Sequence, residues 1–159
     1  MGTANETAER DPAGSGKAEG PIRLNRFLPY RLSLLAGHMA LPAADLQTGD
    51  HRLSVQEWKV MAIVADLEPV TPVEIRRHGT QDKSTISWAI KRLVDQGLLA
   101  KRPAPADGRT FEVLMSEAGW RYYRTVAPKA RARARDIFKA LDPAELRELG
   151  RLVDKLLPE

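Results

Sequence analysis

The 159-residue sequence contains no cysteine, which excludes disulfide scaffolds, thiolate zinc sites and thiol redox sensors. It has no apolar run near the ~18 residues that a membrane helix needs, and its first residues lack the basic flank and apolar core of a secretory signal. Its histidines, His38, His51 and His78, are not at metal-ligand spacing, and no glycine-rich phosphate loop is present. We therefore expect a cytoplasmic protein with no metal, no cofactor, no membrane partner and no catalytic constellation.

Positive charge is in modest excess, because 25 Lys and Arg residues face 21 Asp and Glu residues, for a net charge of +4. Residues 1–20 are acidic, so the rest of the chain is more basic than the whole. This balance favours a polyanionic partner, although many basic proteins bind no polyanion. Residues 1–20 also lack aromatic residues and are rich in Gly, Ala, Glu and Ser, a composition that predicts a disordered tail.

Residues 21–48 carry apolar side chains at helical spacing and predict an N-terminal helix. The residues at this spacing are Phe27, Leu28, Leu32, Leu35 and Met39. Pro42 is expected to kink or end the helix, and residues 49–52 (GDHR) are typical of a loop.

Two capping boxes mark the next helix starts, Ser54 with Glu57 and Thr71 with Glu74. The buried stripe predicted for the first of these helices consists of Val55, Trp58, Met61, Ala62 and Ala65. The second helix is short, and a third begins soon after Gly79 and ends near Gly97. This order of short helix, glycine-containing turn and helix is typical of a helix-turn-helix.

A hairpin and two further helices complete the predicted fold. The strand candidates 98–102 and 111–115 flank the turn dipeptide Asp107-Gly108, and a helix-turn-helix followed by a basic hairpin indicates a winged helix. Ser116 caps a long helix to about residue 140, bent at Pro128, and Asp142 begins a last helix with a leucine stripe. That stripe predicts a homodimer, with an intramolecular core as the alternative.

The helix before Gly97 is the candidate recognition helix, because Ile86, Ile90 and Leu93 define its inward side. The residues expected to face the major groove are Lys83, Ser84, Ser87, Trp88 and Lys91. The residues expected to contact phosphates are Gln81, Thr85, Lys101 and Arg102. The helix N-terminus is expected to offer free amides to a phosphate. The alternative is an ordinary amphipathic helix with a solvated face.

The hairpin tip holds the last two candidate DNA residues. A narrow tip can enter the minor groove, where Arg109 would sense groove width and potential, and Asp107 can hold its guanidinium or stabilise the turn. The alternative is a surface Asp–Arg pair that contributes little stability.

The stretch DKSTISWAIKRLVDQGLLAKRPAPADGRTFEVLMSEAG resembles the multiple-antibiotic-resistance regulator (MarR) family. Asp107-Gly-Arg109 matches the family's Asp-x-Arg in the wing, and Met115-Ser116-Glu-Ala-Gly119 is similar to its Leu-Thr-x-x-Gly. The resemblance covers about residues 25–157 and implies a homodimer whose terminal helices interleave. Trp88 stands where the family usually has Arg, and it can instead touch a thymine methyl or pack on the preceding helix.

The resemblance also implies a pocket for an anionic aromatic effector between the dimer body and the winged helix. The candidate wall residues and cations are Arg26, Tyr30, Arg31, His38, Trp58, Met61, Tyr123 and Arg124. Trp58 and Met61 also lie on the predicted core stripe, and a surface position is the alternative for His38. The segment RLNRFLPYRLSLLAG is similar to members that control hydroxycinnamate breakdown, whose effectors are acyl-CoA thioesters.

The sequence thus predicts a mostly α protein with a small β-hairpin wing, a winged helix-turn-helix on a helical dimerisation body. The predicted segments are a disordered tail (1–20), a dimerisation helix (21–48), the DNA-binding domain (49–115) and C-terminal dimerisation helices (116–159). The predicted function is a dimeric repressor that binds a palindromic operator and is released by a small aromatic carboxylate or its CoA thioester. The alternatives are a winged-helix protein–protein interaction module and an enzyme acting on a CoA thioester.

Overall fold

The computed structural model describes residues 21–105 and 110–157, which are mostly helical. The helices are α1 (Leu28–Met39), α2 (Val55–Leu67), α3 (Pro72–Arg77), α4 (Lys83–Asp95), α5 (Glu117–Phe138) and α6 (Pro143–Leu156). The strands are β1 (Gln47–Thr48), β2 (His51–Arg52), β3 (Leu99–Pro103) and β4 (Phe111–Met115). The chain divides into two compact units, one up to Gly37 with most of α1 and one from His38 onward with the remaining elements. The predicted tail, residues 1–20, lies outside the described residues.

The predicted helix starts are confirmed. Ser54 and Thr71 each accept a hydrogen bond from the backbone N–H three residues later, and the Glu at that position accepts one from the cap's own N–H. Asp142 and Glu145 form the same box at the start of α6. Each box satisfies backbone donors that a helix end otherwise leaves unpaired, so local sequence alone fixes where these helices begin.

Residues 49–52, expected to form a loop, instead complete a small hairpin. Strands β1 and β2 pair antiparallel, with Thr48 opposite His51 across a two-residue turn. Gly49 has a φ of 58°, the positive value that such tight hairpin turns require at their first central position. The loop prediction was wrong because a Gly-Asp pair between short extended residues is itself a hairpin turn.

The core lies among α2, α4, α5 and the β3–β4 hairpin. The predicted stripe on α2 was wrong in part, since Val60, Met61 and Val64 are fully buried whereas Val55, Trp58, Ala62 and Ala65 are only half-buried. The reason is that α2 contacts α4 on one side and α5 and β4 on others, so burial spreads around the helix.

The turn from α4 into the hairpin is set by Gly97. Its φ is 70°, and the Leu98 N–H donates to the Leu93 carbonyl while the Gly97 N–H donates to that of Val94, which is a Schellman cap. Because Leu98 closes the helix, β3 begins at Leu99, one residue later than predicted. β3 pairs antiparallel with β4 from Leu99 opposite Met115 to Pro103 opposite Phe111, so the predicted hairpin is confirmed.

The long helix α5 contains Pro128 and is followed by α6, as predicted. Tyr122 of α5 is buried and donates its hydroxyl to the Leu46 carbonyl at 2.7 Å. Burial, followed by the charge of Glu57, raises the pKa of Tyr122 to about 12. By contrast, α6 buries no residue in the described part of the chain, and Leu156 and Leu157 are largely exposed. Among the described helices, none has both the length and the apolar character needed to cross a membrane.

Candidate nucleic-acid interface

One side of α4 faces away from the core. Ile86, Ala89, Ile90 and Leu93 are buried against α2 and α3, which leaves the opposite side exposed. The five residues predicted to face the major groove all lie on this exposed side: Lys83, Ser84, Ser87, Trp88 and Lys91. The inward direction inferred from sequence therefore matches the structure, and the residues keep the arrangement that the DNA-binding prediction needs.

The start of α4 is already capped by a carboxylate, which corrects the expectation of free amides there. Asp82 accepts from the backbone N–H groups of Ser84 and Thr85 and also from both hydroxyls. The Ser84 hydroxyl, followed by the Thr85 backbone and hydroxyl, holds the pKa of Asp82 well below its usual range. A charged carboxylate thus occupies the site where a phosphate was expected, because Asp is a preferred cap residue.

Gln81, predicted to contact a phosphate, has its side chain engaged within the fold. Its amide nitrogen donates to the carbonyl of Gln56 at 3.2 Å and to the side-chain oxygen of Gln56 at 2.9 Å. The residue is almost fully buried. Gln81 therefore ties the turn before α4 to α2 rather than extending from the exposed side.

Cations border the exposed side of α4, and several are held in place. Lys91 pairs with Asp95 at 2.6 Å within α4, and Arg102 of β3 pairs with Glu112 of β4 at 2.7 Å. The Lys101 amine lies 4.5 Å from the centre of the Phe111 ring. Asp107 and Arg109, predicted at the hairpin tip, lie outside the described residues.

Trp88 is the largest apolar group on this side, with 51% of its surface exposed. The Arg92 guanidinium lies over its ring, 5.6 Å from the ring centre, and the Arg92 Nε donates to the Glu57 carboxylate at 3.3 Å. Sequence analysis predicted Glu57 as a capping residue but missed its contact with Arg92 and the contact of Arg92 with Trp88. The spacing of Trp88 and Arg92, four residues apart in a helix, was the available signal.

The predicted effector residues do not gather in one place. Met61 is fully buried in the core. Trp58 and Tyr123 stack on each other with ring centres 5.5 Å apart, and Arg124 lies 6.0 Å from the Trp120 ring centre. Arg26, Tyr30 and Arg31 belong to the unit that ends at Gly37, where all three are exposed.

Two pockets in the unit from His38 onward contain predicted effector residues. A pocket of about 390 Å³ lies between α2, α5 and the end of α3, and Tyr123 lines it. Its other lining residues are Ala62, Ile63, Asp66, Leu67 and His78. His38 instead lines a pocket of about 430 Å³ with Asp45 and with Lys129, Ala132, Arg133, Asp136 and Ile137 of α5. No group of three His, Cys, Asp or Glu residues within the described ranges could hold a metal ion.

A sequence model of the MarR family matches residues 52–110, which span α2 to the hairpin. The HTH-type transcriptional repressor IacR of Pseudomonas putida is 28% identical over 159 residues, covering 97% of this chain and 95% of IacR. Over residues 52–110 the chain is therefore similar to the MarR family, and over nearly its whole length it is similar to a transcriptional repressor. The proteins that it resembles are transcriptional regulators rather than enzymes.

Solved structures of transcriptional regulators share the fold of this chain. A probable transcriptional regulator from Pseudomonas aeruginosa superimposes with a TM-score of 0.72 at 25% identity, covering 85% of this chain and all of its own. CouR from Rhodococcus jostii RHA1, solved bound to p-coumaroyl-CoA, gives a TM-score of 0.72 at 17% identity, covering 84% of this chain and 93% of CouR.

Proposed function

We propose that this chain is a MarR-family regulator, two copies of which bind a palindromic operator and repress transcription until a small aromatic carboxylate or its CoA thioester releases them. The observation that carries the proposal is the exposed side of α4, with its short hydroxyls, one tryptophan and bordering cations. Such a regulator works on the nucleoid, in the cytoplasm.

Residues on the exposed side of α4 fall into two roles. Ser87, Trp88 and Lys91 lie in the middle of the helix and are assigned to base edges, while Thr85 is assigned to a phosphate, as are Lys101 and Arg102 of β3. Lys83, in the first turn of α4, faces the major groove and is assigned to a phosphate at its edge. Ser84 also faces the groove, but its hydroxyl hydrogen is directed to Asp82. Ser84 is therefore an acceptor, suited to an amino group of adenine or cytosine rather than to a phosphate. Arg109 is assigned to the minor groove and Asp107 to the support of its guanidinium.

The apolar side of α6 supports the dimer. Leu146, Leu152, Val153 and Leu156 are each at least 42% exposed in the single chain, although α6 is an amphipathic helix of 14 residues. Burying such a stripe against a second copy gives a two-fold arrangement, so the two recognition helices would meet half-sites about one helical turn apart.

The experiment that tests operator binding measures fluorescence anisotropy on DNA from upstream of the protein's own gene, against a shuffled duplex, over a salt series. Tight, salt-sensitive binding with a strong preference for the upstream DNA supports the regulator. Equal and weak binding to both duplexes would overturn it and favour a protein–protein interaction module. Sedimentation of Leu152→Glu beside wild type tests the dimer, since a buried charge there should shift the protein to monomer.

We assign the effector to the pocket between α2, α5 and the end of α3. Tyr123 supplies an aromatic wall, and Trp58 stacks behind it. His78 is the C-cap of α3 and can donate to a carboxylate from the edge of the helix-turn-helix. Ile63 lies beside this turn, since a Cβ added at Gly79 would come 3.4 Å from its Cδ1. A ligand here would therefore contact both α2 and the turn that positions α4.

The structural neighbour bound to p-coumaroyl-CoA supports an aromatic acid or its thioester as the effector class. The test adds aromatic acids and their CoA thioesters to the protein–DNA complex and follows release by anisotropy. Release by one of them supports this class. Unchanged binding across the whole set would contradict it.

A further inference from the structure

We infer that Trp88 reads a thymine methyl group and that Glu57 and Arg92 are the residues that position it. This inference deepens the proposed function and rests on it. It follows from the geometry of three side chains that join the start of α2 to the exposed side of α4.

Glu57 is a fixed anchor at the start of α2. The residue is only 1% exposed, and its carboxylate accepts from the Ser54 backbone N–H at 2.6 Å within the capping box. The same carboxylate accepts from Arg92 Nε at 3.3 Å and from the Gln96 amide at 3.4 Å. A buried carboxylate needs such partners, so the position of Glu57 determines where Arg92 lies.

Arg92 in turn restricts the position of Trp88. Its Nε donates to the Glu57 carboxylate, and its Cζ lies over the Trp88 ring, 5.6 Å from the ring centre. A cation over an indole is an attractive arrangement, and the two residues are neighbours on the helix surface. Without the anchor, the long Arg92 side chain would be free to move into solvent, and Trp88 would lose the partner that restricts its rotamers.

The remaining surface of Trp88 suits an apolar group on a base edge. Arg92 lies over the ring, and about half of the Trp88 surface remains exposed. In the major groove, the C5 methyl of thymine is the one apolar group that base pairs present. Methyl hydrogens also meet the electron-rich face of an aromatic ring favourably. A positioned Trp88 therefore discriminates thymine from bases that lack this methyl group.

Uracil scanning tests the inference, because uracil differs from thymine only by the missing methyl. Each thymine in the half-site of the bound duplex is replaced symmetrically, and affinity is measured for wild type, Trp88→Ala, Arg92→Lys and Glu57→Gln. For wild type, uracil at one position should weaken binding about fourfold per half-site. This is the ratio expected for the loss of one methyl-sized group. Trp88→Ala should bind the thymine duplex and the duplex with uracil at that position equally.

The two positioning variants test whether the orientation of Trp88, rather than folding or charge, determines the thymine preference. Arg92→Lys keeps the charge, and Glu57→Gln keeps a capping box, so both should remain folded. Both should lose most of the thymine preference while binding uracil duplexes as wild type does, with an unchanged salt slope. Arg121→Lys, an exposed arginine of α5 with a loose 3.9 Å pair to Glu117, is the matched control and should keep the preference.

Each contrary result has a separate meaning. A wild-type protein that prefers its operator but binds every uracil duplex equally overturns the inference and leaves the proposed function standing. Loss of operator preference itself overturns the proposed function. If Arg92→Lys and Glu57→Gln both retain the full thymine preference, their role as positioning residues is wrong.

Discussion

A side chain on Gly119 would overlap the backbone carbonyl of Leu98. An alanine Cβ at this position would meet the Leu98 oxygen well inside contact distance, and that atom belongs to backbone that cannot move aside. The same carbonyl accepts from the backbone N–H of Ser116 at 3.1 Å. The start of α5 is thereby packed directly on the chain that leaves α4, which joins α4 to α5.

We expect Gly119→Ala to destabilise the protein by about 3 kcal/mol or more, because the overlap can be relieved only by separating α5 from the end of α4. Urea unfolding followed by circular dichroism measures the change.

Gly150→Ala is the matched control for this prediction. Gly150 also lies within a helix, but a Cβ there meets nothing within 4 Å. Gly150 lies on the same side of α6 as Leu146 and Val153, so both glycine substitutions are measured in the Leu152→Glu background, where the proposed dimer is absent. In that background, alanine at Gly150 should be neutral or stabilise by up to about 1 kcal/mol through helix propensity. Equal effects of the two substitutions would show that the contact with Leu98 is unimportant.

The sequence predicted the elements whose causes are local. The boxes at Ser54, Thr71 and Asp142 and the glycine at Gly97 act within a few residues, so the helix ends followed from residue type alone. The buried side of α4 was also predictable, because Ile86 and Leu93 repeat at helical spacing.

What the sequence could not predict depends on contacts between distant segments. Gln56 and Gln81 are 25 residues apart, and only the fold shows that they hydrogen-bond. The burial around α2 is similar, since it depends on α4, α5 and β4 together. The predicted effector residues are separated in the fold for the same reason: a family resemblance names residue types, whereas pockets arise from helix packing.

Asp82 should make stability depend on pH at the start of α4. The pKa of Asp82 is lowered in the folded protein. The contribution of Asp82 to the free energy of unfolding is therefore present above the ordinary pKa of an aspartate and is lost as pH falls towards the lower, folded value. Asp82→Ala should lower the Tm by about 3 °C at neutral pH, the usual effect of losing a cap in a domain of this size. The difference between the two proteins should shrink from about pH 5 to about pH 2.

Thermal melts of both proteins across this pH range measure the difference. Other carboxylates titrate equally in both proteins and cancel in the comparison. A difference that stays constant down to pH 2 would show that the ionised form of Asp82 is not what stabilises α4.

Lys83 and Arg109 should contribute to the salt dependence of operator binding. If each neutralises one phosphate, Lys83→Gln or Arg109→Ala should reduce the slope of log affinity against log salt by about 0.9 for each bound copy of the chain. Both should weaken binding to all duplexes alike, whereas Ser87→Ala should change the preference among sites.

Anisotropy titrations at several salt concentrations give these slopes. Lys155→Gln, on exposed α6, is the control and should leave the slope unchanged. An unchanged slope for Arg109→Ala would remove the minor-groove role from the hairpin tip.

His78 and His38 distinguish the two pockets as effector sites. His78 lines the pocket with Tyr123, while His38 lines the pocket with Lys129 and Arg133. If a carboxylate accepts a hydrogen bond from His78, His78→Leu should raise the effector concentration for half-release by about tenfold, the cost of one hydrogen bond to a charged group. His38→Leu should leave that concentration unchanged, and neither substitution should alter operator affinity without effector. The reverse pattern would place the effector in the pocket lined by His38, where Lys129 and Arg133 rather than an aromatic wall would hold the anion.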